Sequence, residues 1–135
     1  MSSKPKSKTS QRKDTPRHDF KDSVKNTLRQ RAGDKCCLCG KPTSGPSSDP
    51  EKGHNIGEAA HITATAEGGP RYDKDMDVNV RSSAENGIWL CCTCHKIVDG
   101  DVIKYTVENL KQLKKDCEEQ AEKAFGAPEP NISKL

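Results

Sequence analysis

The fold is decided by the stretch at residues 85–99, which reads ENGIWLCCTCHKIVD. A short apolar run at residues 88–90 is typical of a buried strand. The residues after it show no strand alternation, and Thr93 is a suitable N-cap for a helix that would carry His95 and Asp99. Because side chains four residues apart share one face of a helix, the stretch predicts a strand followed by a helix that presents these two polar groups together.

A second feature of this stretch is a pair of cysteines at C-x-x-C spacing, which is repeated earlier in the chain. Each pair can place two thiolates on one tetrahedral zinc ion at about 2.3 Å, and four thiolates leave no open coordination position. Redox chemistry is the alternative for either pair, but no thioredoxin-like βαβ pattern surrounds them. The predicted ligands of a structural zinc are Cys36, Cys39, Cys91 and Cys94.

The composition explains why such a chain needs a metal. Its 135 residues suffice for one compact domain with tails, but only 30% are hydrophobic and 4% aromatic. Small domains with weak cores are usually held by disulfides or metal. No apolar run approaches a membrane span and the N-terminus lacks the apolar segment of a secretory signal, so we expect a cytoplasmic protein without membrane contact. In a reducing cytosol, paired cysteines favour metal over disulfides.

The rest of the chain predicts one domain between two tails. Residues 1–18 form a basic, Ser-rich arm that we expect to be disordered; it suits a polyanion or is only a solvated tail. Residues 19–126 form the domain, beginning with an amphipathic helix from about Phe20 to Ala32 that ends at Gly33. Residues 41–55 are rich in Gly, Pro and Ser and predict an exposed loop, and residues 58–64 predict a short strand. A final helix begins near Val107 and ends before Gly126, and residues 127–135 read as a tail or linker.

These pieces, taken in order, resemble HNH endonucleases. The motifs are R-A-G-x-x-C-x-x-C, A-H-I, G-G-P-R and N-G-I-x-L-C-x-x-C-H, followed by a lysine-rich helix, and they extend from about Arg31 to about Asp116. Each motif is weak alone, but their order and spacing together are specific. The resemblance implies an α+β fold: a small ββα-metal nuclease core, also called a His-Me finger, with a structural zinc and flanking helices.

The resemblance also implies a role for each polar residue. His61 matches the general base that activates water, and His95 matches a ligand of a catalytic divalent cation, Mg²⁺ or Mn²⁺ or a similar ion. Asp99 lies where a second ligand would project, although a plain turn residue before Gly100 is the alternative. Asn86 matches the middle asparagine, which either braces the loop or ligates the cation. We expect catalysis to depend on His61, Asn86 and His95.

Three further residues bear on this interpretation. Arg71 is a candidate phosphate clamp, because its planar guanidinium can bind two phosphate oxygens. Many HNH enzymes carry Asp or His immediately before the base, whereas this chain has Ala60. Glu58 shares a strand face with position 60 and is a weaker candidate for the missing ligand.

Three classes of function remain after this reading. The first is a nuclease that binds DNA mainly through the phosphate backbone, as the effector of a phage-defence or restriction system with a fused or associated sensor or targeting domain. The second is a non-catalytic, zinc-containing nucleic-acid-binding module, which would leave the order of His61, Asn86 and His95 unexplained. The third is an adaptor that docks through its charged final helix, whose narrow apolar stripe is explained more simply by packing on its own domain.

Overall fold

A computed structural model describes residues 19–126, so the predictions for residues 1–18 and 127–135 lie outside the described residues. In chain order the elements are α1 (Asp22–Arg31), β1 (Ser44–Pro46), β2 (Gly53–Asn55), β3 (Gly57–His61), α2 (Val78–Arg81), a 3-10 turn (Ala84–Asn86), β4 (Gly87–Cys91), α3 (Cys92–Gly100) and α4 (Val107–Ala124).

The centre of the domain is an antiparallel hairpin of β3 and β4, followed directly by α3. In its register, Gly57 pairs with Cys91, Ala59 with Trp89, and His61 with Gly87. This ββα unit, with α1 and α4 beside it, confirms the predicted α+β class.

The two faces of this hairpin pack against different helices. On one face, Ala59 and Trp89 join Phe20 and Leu28 from the N-terminal segment in an apolar cluster. On the other face, residues of both strands pack with α3 and α4; the buried apolar members there include Ala60, Ile62, Ile88, Leu90, Val98 and Leu110. Side chains alternate between the faces of a strand, so β3 directs Ala59 and His61 towards α1, and Glu58 and Ala60 towards α3.

The first helix ends, and the last helix begins, where local chemistry predicts. The first helix ends before Gly33, whose φ of 65° lies in the left-handed region that glycine adopts without a steric penalty. Phe20 precedes this helix rather than lying within it, because the helix begins at Asp22. The last helix has Thr106 as its N-cap, whose hydroxyl accepts a hydrogen bond from Asn109 N at 3.1 Å.

The polar connection between β3 and β4 contains α2 and the 3-10 turn. Two local predictions were wrong in detail. The exposed stretch at residues 41–55 contains the β1–β2 hairpin, in which Ser44 pairs with Asn55. The N-cap of α3 is Cys91 and not Thr93, because the Cys91 Sγ accepts a hydrogen bond from Cys94 N at 3.4 Å.

Within residues 19–126, no helix is both long enough and apolar enough to cross a bilayer.

Candidate active site and metal centre

The four cysteines of the two C-x-x-C pairs meet at the start of α3. Their sulfur atoms all lie within 4.8 Å of one another. Cys36, Cys91 and Cys94 are buried, whereas Cys39 is exposed. A tetrahedral zinc ion bound by four thiolates needs this kind of close sulfur grouping. The cysteine cluster, as we call Cys36, Cys39, Cys91 and Cys94, can therefore hold a metal ion such as zinc.

Backbone N–H groups favour negative charge on one of these sulfurs, that of Cys36. The Cys36 Sγ accepts hydrogen bonds from Leu38 N and Cys39 N, both at 3.4 Å. Burial raises the pKa of the Cys36 thiol, but the N–H groups of Cys39, Cys91 and Leu38 outweigh burial and bring its pKa down to about 7. Since zinc binds thiolates rather than thiols, the low pKa of Cys36 favours metal binding by this residue at neutral pH.

A second polar site opens beside the ββα unit. It is a cavity of about 150 Å³, which we call the histidine cavity; its walls are His61, Ala64, Thr65, Pro70, His95 and Asp99. The end of β3 supplies His61, and α3 supplies His95 and, one turn further along, Asp99. The structure thus brings together three of the residues that the sequence singled out for catalysis.

Within this site, His95 lies between two carboxylates. Its Nε2 is 3.2 Å from Asp99 Oδ2, one turn further along α3, and its Nδ1 is 2.7 Å from Glu58 Oε1 on β3. The hydrogen bond to Asp99 is the main cause that raises the pKa of His95 to about 9, and Glu58 adds to it. Glu58 does not line the histidine cavity, so the two carboxylates approach the ring from different sides.

Arg71 binds the oxygen of Asp99 that is not paired with His95. The Arg71 side chain is only 4% exposed, and its guanidinium forms an ion pair with Asp99 Oδ1 at 2.7 Å. The same group donates hydrogen bonds to the backbone oxygens of Ile62 at 2.6 Å, Val98 at 3.3 Å and Tyr105 at 3.4 Å. Arg71 also has a φ of 57°, a left-handed conformation that is uncommon outside glycine. These internal acceptors occupy the guanidinium, so its placement does not favour the phosphate clamp predicted from the sequence.

Asn86 lies beneath the loop that follows β3. The side chain is 3% exposed, its Nδ2 donates to Thr63 O at 2.9 Å and Arg81 O at 3.0 Å, and its Oδ1 accepts from Thr63 N at 3.0 Å. Asn86 is not among the residues that line the histidine cavity. Of the two roles left open by the sequence, this geometry favours bracing the loop over binding a cation.

Residues 36–99 match the family model described as HNH endonuclease. This segment of the chain belongs to the HNH endonuclease family. The match contains the cysteine cluster and every residue that lines the histidine cavity. Membership indicates nuclease activity in general, and hence a nucleic acid as substrate. A search of curated proteins found no match.

Sequence reasoning missed two neighbours of the HNH histidines. Glu58 was considered only as a substitute ligand at the Ala60 position, whereas in the structure it contacts His95. Ala60 itself is 1% exposed and packs in the core beside α3. Phe20 was placed on a helical stripe, whereas its ring stacks on His61 with 3.9 Å between the ring centroids. No local motif signals either contact, because each depends on the packing of separate elements.

Proposed function

We propose that this HNH protein is a metal-dependent endonuclease that hydrolyses DNA phosphodiester bonds, with His61 as its general base. The observation that carries the proposal is the histidine cavity, whose walls include His61, His95 and Asp99. Hydrolysis needs a group that accepts a proton from water and positive charge near the phosphate oxygens. This cavity offers a candidate for the first need and donors that suit a cation for the second.

The role of His61 follows from its position and its chemistry. An imidazole can accept a proton from water near neutral pH, which a carboxylate does less well and a lysine or arginine cannot do while charged. The side chain is half-buried at the end of β3 and opens onto the cavity. In the proposed reaction, His61 takes a proton from the attacking water as its oxygen bonds to phosphorus. The bond from phosphorus to the leaving 3′ or 5′ oxygen breaks, and that oxygen takes a proton from solvent.

The donors on α3 fit a divalent cation. His95 and Asp99 present a ring nitrogen and a carboxylate oxygen 3.2 Å apart at the same cavity wall. This combination of nitrogen and oxygen donors suits Mg²⁺, Mn²⁺ or a related ion. When bound, such an ion supplies positive charge that stabilises the phosphate and the leaving oxygen.

Three further residues support these groups. Glu58 accepts a hydrogen bond from His95 Nδ1, which leaves Nε2 on the Asp99 side to face a cation. Metal-binding histidines commonly have their other nitrogen bound in this way, and such partners tune metal affinity. Arg71 holds the Asp99 carboxylate, and Asn86 holds the chain beyond His61 through Thr63. We assign these three residues to positioning.

The biological setting is a further part of the proposal. A nuclease that contacts mainly phosphates would bind DNA with little sequence preference and with a steep salt dependence. Such an activity suits the effector of a phage-defence or restriction system, with target choice supplied by a fused or associated sensor or targeting domain.

The test is cleavage of supercoiled plasmid by the wild type and by His61→Ala, with Mg²⁺ or Mn²⁺ and then with chelator. We expect His61→Ala to keep its zinc and its affinity for DNA while the cleavage rate falls by about 10² to 10⁴-fold. His54→Ala, on the exposed strand β2, is the matched control and should cleave normally. Full activity in His61→Ala would refute the mechanism. DNA binding without cleavage by the wild type would instead indicate the non-catalytic zinc-containing module.

A further inference from the structure

Phe20 and His61 form a close, nearly parallel ring stack. The centroids are 3.9 Å apart and the ring planes differ by 7°. Phe20 is 5% exposed and lies just before α1, outside the segment that matches the HNH family. The face of the proposed base is therefore covered by a residue that the nuclease motif does not include.

The opposite strand leaves room for this stack. Gly87 is the cross-strand partner of His61. A Cβ at position 87 would lie 3.0 Å from Phe20 Cζ and 2.5 Å from Leu28 Cδ1, which is too close for either atom to stay where it is. The backbone does not demand glycine here, because φ is −119°. The space beside His61 that a side chain at position 87 would need is thus filled from the N-terminal segment.

The stack restricts a rotation of the His61 ring that the strand alone leaves open. A β-strand determines where the His61 Cβ lies, but rotation of the ring about χ2 has broad, shallow minima. A flat neighbour at 3.9 Å restricts that rotation, because any large turn of the imidazole would drive its edge into the phenyl face.

We infer that Phe20 is a positioning residue for His61, whose ring plane it sets so that the imidazole meets the water in the histidine cavity at a productive angle. The inference rests on the proposed function of His61. Since a displacement of about 1 Å can cost on the order of 10²-fold in rate, loss of this stack should be visible in the kinetics.

The test is Phe20→Leu, which keeps an apolar side chain and removes the flat ring. We expect kcat for plasmid cleavage to fall by roughly 10- to 100-fold, with KM for DNA unchanged because Phe20 is buried. Val24→Ala is the matched control, since Val24 packs in the same apolar cluster. It should lower the thermal midpoint while leaving kcat unchanged well below that midpoint.

A spectroscopic measurement tests the stack without any kinetics. In the wild type, ring protons of His61 that lie over the phenyl face should resonate upfield of those of His54, which is on an exposed strand. The upfield shift should disappear in Phe20→Leu and persist in Val24→Ala. The wild-type spectrum remains decisive even if Phe20→Leu does not fold, because unshifted His61 signals would overturn the inference.

The outcomes separate this inference from the proposed function. If His61→Ala is inactive but Phe20→Leu cleaves with wild-type kcat, the positioning role is wrong and the nuclease mechanism stands. If His61→Ala is fully active, the proposed function itself is wrong, and the positioning role falls with it.

Discussion

One helix, α3, serves two polar sites that are built in opposite ways. Its N-cap, Cys91, and Cys94 in its first turn meet the other two members of the cysteine cluster, with all sulfurs within 4.8 Å. Further along the helix, His95 and Asp99 line an open cavity. The cysteine cluster offers four donors from the chain and is mostly buried, whereas the histidine cavity offers few donors and leaves space beside them.

This difference indicates that the closed cysteine cluster stabilises the fold, whereas the open histidine cavity can admit water and substrate. Four thiolates satisfy zinc completely, so such a site stabilises a fold and has no position left for substrate. A site with few protein donors keeps positions for water and phosphate. Because both sites lie on one helix, a metal in the cysteine cluster would also hold the donors of the histidine cavity in place.

The largest effect should follow from removing one thiolate of the cysteine cluster, which tests whether this site holds the fold. Cys94→Ser, or Cys39→Ser, should lose the zinc and unfold the domain, because the binding energy of a structural zinc, about 10 to 16 kcal/mol, rivals the whole stability of a small domain. Elemental analysis and circular dichroism measure the two losses. Cys92→Ser is the matched control, since Cys92 is exposed beside the cluster and not part of it. A folded, active protein that contains no zinc would contradict the structural role.

Removing a donor from the open site should have a different effect. His95→Ala should stay folded with its zinc, but lose cleavage by about 10²-fold or more at low Mg²⁺ because the cation is held less tightly. High Mg²⁺ or Mn²⁺ should restore part of the rate, whereas no metal concentration should rescue His61→Ala. A metal titration of both variants is the measurement. Rescue of His61→Ala alone would mean that the two roles are exchanged.

A smaller effect should follow from neutralising the Glu58 carboxylate, which contacts His95 Nδ1. Glu58→Gln keeps an oxygen acceptor but loses the negative charge 2.7 Å from Nδ1. We expect the affinity for Mn²⁺, measured by electron paramagnetic resonance, to fall by about 10-fold, at the low end for such partners of metal-binding histidines. Glu51→Gln, in the exposed turn between β1 and β2, should leave the affinity unchanged. An unchanged affinity of Glu58→Gln for Mn²⁺ would show that Glu58 makes only a surface contact with His95 and does not support cation binding.

The smallest effect concerns an ion pair that links α1 to α4. Burial raises the pKa of Glu118, but the Arg31 hydrogen bond at 2.6 Å and the charge of Lys114 outweigh it, so the pKa of this carboxyl lies below its usual value. The ion pair therefore adds stability at neutral pH, and that stability is lost as the pH falls through the lowered pKa. Because Arg31 is 58% exposed, Glu118→Gln should cost no more than about 1 kcal/mol at pH 7.

Denaturant titrations of the wild type and Glu118→Gln at several pH values would measure this contribution. The difference between the two proteins should shrink below the ordinary glutamate pKa of about 4.5 and vanish in strong acid. A loss as large as that of Cys94→Ser would contradict the view that metal, rather than ion pairs, holds the domain.

The sequence by itself determined local features of the protein. The C-x-x-C spacing indicated the metal knuckles, because two thiols three residues apart in a turn can reach one ion. Apolar periodicity predicted the two flanking helices, and Gly33 marked the end of the first. The ordered motifs around His61, Asn86 and His95 resemble those of HNH endonucleases, and the family model matches residues 36–99.

Only the tertiary structure decided which distant side chains touch the site. Glu58 and His95 are 37 residues apart, and Arg71 and Asp99 are 28 apart. The same packing turned Arg71 inward and stacked Phe20 on His61, although sequence alone suggested a phosphate clamp and a helical stripe. Such contacts depend on how helices pack across the two faces of the β3–β4 hairpin. Hydrophobic burial drives that packing without direction, so no local pattern of residues encodes which polar partners it brings together.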